Sequence, residues 1–121
     1  MASPVSYIEI GAEDAAPVGA FFAELFGWSF HPMGADGGGW FQAGSIKAGL
    51  HGGDTAPRID LFFQVPDLSA AVERVRALGG QVDGGIAEEP GFGKFAQCHA
   101  PGGLSFGLHQ PEASSTASSS S

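Results

Sequence analysis

The chain contains the same pattern twice, and this internal repeat sets the strongest limit on how it can fold. Each copy has an apolar strand pattern, an aspartate, an amphipathic helix pattern and a terminating glycine. In the first copy these are residues 7–10, Asp14, the helical spacing of Val18, Phe21, Phe22 and Leu25, and Gly27. In the second they are residues 60–65, Asp67, the spacing of Leu68, Ala71, Val72, Val75 and Leu78, and Gly79 with Gly80. The aspartates are expected to cap the helix starts and the glycines the helix ends.

The two copies also end alike, with Gly49-Leu50-His51 in the first and Gly107-Leu108-His109 in the second. Short strand patterns bounded by glycine precede these ends, at residues 39–43 and 45–51 and at residues 93–99 and 104–109. Each copy therefore predicts a βαβββ module, at about 4–55 and about 57–111, in an α+β fold. Modules this short cannot bury their own faces, so we expect them to pack together within the chain or across a dimer.

Composition narrows the class of protein. Of 121 residues, 43% are hydrophobic and 10 are phenylalanine, which predicts one folded domain at residues 1–111. Thirteen acidic and five basic residues give a net charge of −8, which argues against nucleic acid and anionic membranes as partners. No apolar run approaches the roughly 18 residues of a membrane span, and residues 1–4 carry no basic region before an apolar one.

Cys98 and the last ten residues limit the cellular setting and the extent of the folded domain. A single cysteine permits no internal disulfide and no thiolate metal site, so a reduced, cytoplasmic setting is expected. Cys98 next to His99 is not expected to form a nucleophilic pair, because adjacent strand residues point to opposite faces. Residues 112–121 are rich in serine and predict a flexible tail, so the functional residues are expected within 4–111.

Several segments together resemble the vicinal oxygen chelate superfamily, which contains glyoxalase, bleomycin-resistance and extradiol-dioxygenase branches. They are Phe-Phe-Ala-Glu-Leu-Phe-Gly-Trp at 21–28, Val-Pro-Asp-Leu at 65–68, the glycines at 79–80, and residues 90–96 and 100–108. The last segment resembles the glyoxalase-like pattern Asp-Pro-x-Gly-x-x-Phe-Gly-Leu, with Ala100 in place of its aspartate. The resemblance covers residues 7–110 and rests on the order and spacing of these segments.

The resemblance implies two modules whose sheets curl around an open groove, usually completed in a homodimer. It also implies, in metal-dependent members, a divalent ion held by one side chain from the first and one from the last strand of each module. Those positions fall on Tyr7, Gly49, Asp60 and Gly107. Because glycine has no side chain to offer, we expect the usual metal site to be absent, and the usual glyoxalase or dioxygenase chemistry with it.

A different metal site is a second hypothesis. Strand residues two apart share a face, so if positions 7, 49, 60 and 107 face the groove, then Glu9, His51, Phe62 and His109 face it as well. Glu9, His51 and His109 have the composition of a two-histidine, one-carboxylate site for Fe(II) or a similar ion. Alternatively, His51 and His109 are polar residues at the rim of a ligand groove, where an imidazole can donate or accept a proton near neutral pH.

The remaining candidates each have a structural and a functional interpretation. Asp60 interrupts an apolar strand, where it either pairs with Arg58 or Lys47 or lies in the groove as a ligand-binding or proton-accepting carboxylate. Tyr7 either packs or donates a hydrogen bond to the ligand. Trp40, Phe62 and Phe92 are placed on the groove side by strand parity or loop position, where they could stack on a flat apolar molecule. Helical periodicity assigns five others to the core: Phe21, Phe22, Leu25, Phe26 and Phe63.

These residues support three hypotheses about function. The leading one is a metal-free, resistance-like protein that binds or sequesters a small hydrophobic or aromatic molecule. The second is a lyase, isomerase or dioxygenase-like enzyme that uses Asp60, Tyr7 or a histidine as acid or base, or the displaced divalent metal. The third is an interaction or regulatory module with no groove ligand, which a groove that is collapsed or filled by its own side chains would favour.

Overall fold

The computed structural model of the chain describes residues 3–112, so the predicted tail lies outside the described residues except for Glu112. The Glu112 carboxylate accepts a hydrogen bond from the Gly91 amide at 2.7 Å. By contacts, Ser6–Leu61 forms one compact unit, and the chain from Phe62 onward, together with the residues before Ser6, forms the other. Neither helix within residues 3–112 is long and apolar enough to span a membrane.

The first module contains five elements in the predicted βαβββ order. They are β1 (Val5–Gly11), α1 (Ala15–Phe26), β2 (Ser29–Pro32), β3 (Gly39–Ala43) and β4 (Ile46–His51). Its strands are ordered β2-β3-β4-β1, and β4 pairs with β1 in parallel while the other pairs are antiparallel.

The second module repeats this arrangement. Its elements are β5 (Arg58–Gln64), α2 (Leu68–Ala77), β6 (Gln81–Glu89), β7 (Gly93–His99) and β8 (Ser105–Gln110). The strand order β6-β7-β8-β5 and the parallel pairing of β8 with β5 match the first module strand for strand. The predicted α+β class and the repeat are therefore confirmed.

The helix ends follow the predicted pattern with one exception. Asp67 caps α2, since its side chain accepts a hydrogen bond from the Ala70 amide at 3.1 Å. Asp14 occupies the same position before α1 but makes no such bond. Gly27 ends α1 in the left-handed conformation at φ 72°, where its amide donates to the Ala23 carbonyl, and Gly79 follows α2 at φ 92°.

Each helix covers one face of its own module's sheet. The buried residues of the first core are Ile10, Ala12, Ala15, Phe41, Ala48 and Leu50. Those of the second are Val65, Leu68, Val72, Ala96, Cys98 and Leu108. In each module, strand residues alternate between this core and the opposite face of the sheet, and the candidate site residues lie on that opposite face.

Three of the five predicted core residues are not in the core. Phe21, Leu25 and Phe26 are 59%, 58% and 53% exposed, whereas Phe22 and Phe63 pack against the first and second core respectively. The inner face of α1 is formed by Ala15, Val18, Gly19 and Phe22. Apolar residues therefore extend around α1 beyond the stripe that the sheet covers, and periodicity alone does not show which of them is inside.

Candidate functional site

The sheet face opposite α1, here called the first distal face, brings together the candidate residues of the first module. Strand pairing places Glu9 opposite Gly49 and Gly11 opposite His51. The next strand places Trp40 opposite Gly49. Because paired residues share a face, Tyr7, Glu9, Trp40, Lys47, Gly49 and His51 all lie on this one.

A carboxylate at the centre of this face holds two side chains. The Tyr7 hydroxyl donates to Glu9 Oε1 at 2.8 Å, and His51 Nδ1 lies 2.6 Å from Glu9 Oε2. Since an ionised carboxylate only accepts, Nδ1 of His51 carries the proton in this bond. The His51 side chain is 50% exposed and that of Glu9 31%, so the network is accessible from solvent. Chemically, the network can accept a hydrogen bond from a hydroxyl or ammonium group of a ligand, or it can exchange a proton with a ligand.

A further carboxylate, Asp54, joins this network and was missed by sequence reasoning. Its Oδ2 lies 3.5 Å from His51 Nε2, and its amide donates to the Ala12 carbonyl, which ties the loop to the end of β1. The imidazole of His51 therefore lies between two acidic side chains. The only hint in the sequence is the position of Asp54 directly after Gly52-Gly53, three residues beyond His51.

Gly49 leaves no room for a metal-binding side chain. A Cβ built at this residue would overlap the Tyr7 hydroxyl and lie 2.6 Å from Glu9 Oε1. The space that a ligating side chain would need is therefore already occupied by Tyr7 and Glu9.

Trp40 already has partners on the first distal face. The His31 ring stacks on its indole with centroids 4.1 Å apart, and Lys47 Nζ lies 4.7 Å from the Trp40 ring centroid. The tryptophan is half-buried. It is positioned by its neighbours in the sheet, which lowers the entropic cost of using it as a binding surface.

The corresponding face of the second module, the second distal face, is filled with aromatic side chains. Phe62 pairs with Gly107, and Phe95 pairs with His109. Phe62 and His109 are each only 6% exposed. A Cβ built at Gly107 would overlap the Phe62 ring, so this glycine also leaves no space for a ligating side chain.

His109 is held inside this aromatic cluster. Its Nε2 lies 2.6 Å from the Phe92 carbonyl oxygen, and its ring stacks on that of Phe92 with centroids 4.0 Å apart. Phe95 contacts Phe92 edge to face, with centroids 5.6 Å apart. Phe62, Phe92, Phe95 and His109 thus pack against one another, and the histidine fixes the loop that carries Phe92.

Asp60 is buried and paired. It is 6% exposed, and its Oδ2 accepts a hydrogen bond from Arg58 Nε at 2.8 Å. Of the structural alternatives for this carboxylate, the structure contains the ion pair with Arg58, whereas Lys47 lies over Trp40.

The residues do not fit the metal centre that the resemblance implies. Its four positions carry Tyr7, two glycines without space for a side chain, and Asp60 paired with Arg58. Across residues 3–112, no group of three or more His, Cys, Asp or Glu side chains is arranged to hold a metal ion, and this includes the alternative set Glu9, His51 and His109. Hydrogen bonds to Glu9 and to the Phe92 carbonyl engage one nitrogen of each of these histidines.

Cys98 and His99 point to opposite faces of β7, so they do not form a pair. Cys98 lies in the second core, where burial and, to a lesser extent, the charge of Asp83 raise the pKa of its thiol. His99 Nε2 lies 2.7 Å from Asp83 Oδ2, and both side chains line a shallow cavity of about 360 Å³ beside the β7–β8 turn.

One protein-family model matches most of the chain. The model of the glyoxalase-like domain family matches residues 7–109. No curated protein matches the sequence.

Solved structures share the fold at low sequence identity. Methylmalonyl-CoA epimerase from Mycobacterium tuberculosis superposes with a TM-score of 0.68 at 17% identity, covering 94% of this chain and 91% of that one. A hypothetical protein from Bacillus halodurans C-125 gives 0.73 at 12% identity, with 93% and 96% covered. A glyoxalase/bleomycin resistance protein/dioxygenase superfamily member from Vibrio splendidus 12B01 gives 0.67 at 15% identity, with 92% and 100% covered.

Proposed function

Since the chain belongs to the family of glyoxalase-like domains, we propose that it binds a small hydrophobic or aromatic molecule without the metal centre of the metal-dependent branches. Binding or sequestration of this kind, as in the resistance branch, needs only a shaped surface and a few polar anchors. The observation that carries the proposal is the presence of glycine at positions 49 and 107, with other side chains in the space beside them. Both lack a ligating side chain, and Tyr7, Glu9 and Phe62 occupy the space beside them.

The first distal face supports the proposal with accessible polar anchors. Tyr7, Glu9 and His51 are joined by hydrogen bonds of 2.8 and 2.6 Å and retain solvent exposure. Trp40 adds a large apolar surface on the same face. A ligand with an apolar body and a hydroxyl or amine group would match this combination, since Glu9 and His51 can bond to such a group while the indole contacts the body.

The second distal face would contribute apolar contact to the ligand rather than polar anchors. Phe62 and His109 are buried, and Asp60 is engaged by Arg58, so none of these three offers an unpartnered polar group to a ligand. Phe92 is half-buried at the edge of the aromatic cluster. We propose that Phe92 contributes apolar contact, and that Phe62 and His109 hold the surface on which it lies.

Thermal denaturation with two sets of additives tests this proposal. One set contains divalent metals, with and without EDTA, and the other contains planar aromatic compounds. A compound that binds only the folded protein raises Tm by an amount that grows with its concentration. We expect at least one aromatic compound to raise Tm, and no metal to raise it in a way that EDTA reverses.

Variants then locate the binding surface. Glu9→Gln should reduce the ligand-induced rise in Tm, whereas His99→Ala, which changes a histidine outside the first distal face, should leave it unchanged. A metal-induced rise that EDTA reverses and that His51→Ala abolishes would contradict the metal-free proposal.

A second candidate function, an acid–base enzyme, is favoured by the Tyr7–Glu9–His51 network specifically. A carboxylate bonded to an exposed imidazole can accept a proton from a bound substrate and return it to another position. Asp60 is less suited to this role, since its carboxylate is paired with Arg58 and buried.

Deuterium exchange into an identified ligand separates the two functions. Once thermal denaturation has identified a compound that binds, it is incubated in D2O with the wild type and with Glu9→Gln, and followed by NMR. Catalysed exchange at a carbon atom in the wild type, lost in Glu9→Gln, would support the enzyme. Binding without any exchange supports sequestration.

A further inference from the structure

Lys47 is the only lysine or arginine between positions 6 and 57, and it lies on the first distal face. Its strand partners are Tyr7 on β1 and Gln42 on β3. Its ammonium group lies over the indole of Trp40, with Nζ 4.7 Å from the ring centroid. Among the residues that the structure describes, Lys47 takes part in no ion pair, although the chain contains 13 acidic side chains. An acidic protein thus keeps an ammonium group without a carboxylate partner on the face that carries its accessible polar anchors.

The repeat shows that the fold does not require a cation at this position. Ser105 of β8 corresponds to Lys47 of β4, since each lies two residues before the glycine that stands in place of a metal ligand in its module. Gln97 corresponds to Trp40, since each pairs with that glycine from the next strand. In the second module these two positions are uncharged and bonded to each other, because Gln97 Nε2 donates to the Ser105 hydroxyl at 2.9 Å. The pairing of a cation with an aromatic ring is therefore particular to the first distal face.

Negative charge lies at the other end of the same face. Glu9 is the diagonal neighbour of Lys47 across the β1–β4 pair, about 8 Å away between Cα atoms at ordinary strand spacings. His51, which is bonded to Glu9, lies about 13 Å from Lys47 along β4. Asp54 adds a second carboxylate beside His51. Trp40 lies level with the middle of this span, since it pairs with the residue midway between Lys47 and His51. The face therefore has a positive end and a negative end, with an indole between them.

We propose that the first distal face selects a dipolar ligand, a flat apolar molecule with an acidic group at one end and an ammonium or hydroxyl group at the other. Lys47 binds the acidic group, Trp40 contacts the apolar body, and Glu9 accepts a hydrogen bond from the opposite end. This inference rests on the proposed function, because it names the class of ligand for the same site. It adds Lys47 to the residues that bind the ligand.

The ammonium group of Lys47 can exchange its contact with Trp40 for a bond to an anion. A lysine ammonium carries three N–H donors, and its contact with a ring face is weak where the side chain is exposed, as that of Lys47 is. A carboxylate accepts a charge-assisted hydrogen bond from the same group, which is a stronger interaction. An acidic group placed beside the indole therefore gains more from Lys47 than the indole loses.

Glu9 keeps acceptor capacity at the negative end. Its two carboxylate oxygens accept hydrogen bonds from Tyr7 and His51, and an ionised carboxylate has about four acceptor sites. The side chain of Glu9 is partly exposed, so a ligand can reach the remaining sites. A ligand ammonium or hydroxyl group can therefore donate to Glu9 without displacing either neighbour. The carboxylate of Asp54 nearby favours a cationic group over an anionic one at this end.

The separation of the charges determines the orientation of the ligand. A net charge of −8 attracts cations to the chain in general and repels anions, so it gives no reason for an acidic group to bind. Lys47 reverses this preference at one end of the first distal face. A ligand with one charge gains at one end only, whereas a ligand with opposite charges at its two ends gains at both and binds in a single direction.

NMR titrations with five compounds built on one benzene ring test the proposal. The first, para-(aminomethyl)benzoate, carries the two charges at opposite ends, and its ortho isomer carries the same charges side by side. The other three are para-methylbenzoate with the acid only, para-methylbenzylamine with the amine only, and para-methylbenzyl alcohol with neither charge. The Kd of each compound is measured from shifts of the backbone amides and the Trp40 indole N–H, at one pH and one ionic strength, since salt screens exposed charges.

We expect para-(aminomethyl)benzoate to bind about 10-fold more tightly than each of the other compounds, because it alone can bond at both ends. Lys47→Gln should remove this advantage and leave the affinity for the amine and the alcohol unchanged. Lys47→Arg retains the charge and should retain the advantage. The matched control Lys94→Gln removes an exposed cation from β7 of the second module and should change none of the five affinities.

Equal affinity of the wild type and of folded Lys47→Gln for para-(aminomethyl)benzoate would overturn the inference, as would equal affinity for the ortho and para isomers or equal losses in Lys47→Gln and Lys94→Gln. Circular dichroism confirms that each variant is folded. If the amine or the alcohol still binds and Glu9→Gln weakens that binding, the proposed function stands without the inference. If none of the five compounds binds, the inference is overturned, and the wider set of planar aromatic compounds in thermal denaturation decides the proposed function separately.

Discussion

The two distal faces derive from the same repeat but differ in what covers their glycines. In the first module, Gly49 lies beside the hydroxyl of Tyr7 and the carboxylate of Glu9, which remain partly accessible. In the second, Gly107 lies under the ring of Phe62, which is 6% exposed. One face keeps a polar network open to solvent, whereas the other is closed by packed aromatic rings.

The proposed function assigns different roles to the two faces: the first would bind the ligand, and the second would stabilise its module. The second distal face is filled by its own side chains, which is the packing that the third hypothesis, a module with no groove ligand, would favour. The leading hypothesis needs accessible polar groups, which the first distal face supplies. Both modules carry glycine where the resemblance places a metal ligand, but the side chain that occupies the space beside the glycine determines whether the face remains open.

The largest effect is expected when the closed face is opened. Phe62→Ala should lower the free energy of unfolding by about 3–5 kcal/mol, because it removes a buried ring that packs on Gly107 and Phe95. Glu9→Ala, at the equivalent position of the first module, should cost about 1–2 kcal/mol through its lost hydrogen bonds. Urea denaturation measures both values. Equal losses would mean that the two faces are equally closed.

A methyl group added to each glycine gives the next largest contrast. Gly107→Ala should cost about 1–3 kcal/mol, since the new Cβ meets the near edge of a buried ring that has little room to move. Gly49→Ala meets the terminal hydroxyl of a partly exposed tyrosine and should cost less. Paired urea denaturation curves measure the difference. A larger loss at Gly49 would contradict the assignment of the open face.

Changes within the open face should affect stability least and binding most. Tyr7→Phe and His51→Ala should each change the free energy of unfolding by less than about 1 kcal/mol, because both side chains retain solvent contact. Both should reduce the rise in Tm that a bound aromatic compound produces. Stability losses like that of Phe62→Ala would instead assign these residues a structural role.

The smallest effect concerns the buried thiol of the second module. Burial raises the pKa of Cys98 in the folded state above its unfolded value. The thiol therefore contributes stability that is complete below the unfolded pKa of about 8.5 and is lost as the pH rises towards the folded pKa. The free energy of unfolding of the wild type should fall relative to that of Cys98→Ala between pH 8 and pH 10. A constant difference across this range would show that the thiol is not shielded.

Local patterns were sufficient to predict most of the fold. The strands at 39–43 and 93–99 match their predicted bounds, and those predicted at 45–51 and 104–109 differ by one residue at one or both ends. These elements are delimited by glycines, whose conformational freedom is a property of the residue itself. Strand parity likewise placed Glu9, His51 and Tyr7 on one face, because alternation along a strand requires no knowledge of its neighbours.

Features that depend on how loops and strands fold against one another could not be predicted. Asp54 joins His51 only because its loop folds back on the end of β1. The sequence left two cations as partners for Asp60, and only the three-dimensional arrangement placed Arg58 there and Lys47 over Trp40. Helical periodicity could not predict that Phe21, Leu25 and Phe26 are exposed, because an apolar residue satisfies a helical pattern whether or not the sheet covers it.

The sequence by itself determined that two βαβββ modules would form and that neither Gly49 nor Gly107 could ligate a metal through a side chain. Both follow from properties of single residues and their spacing, which do not depend on the folded environment. Tertiary structure decided what occupies the space beside each glycine, a polar network in one module and a phenylalanine ring in the other. That outcome depends on the register of paired strands, which brings residues forty or more positions apart into contact.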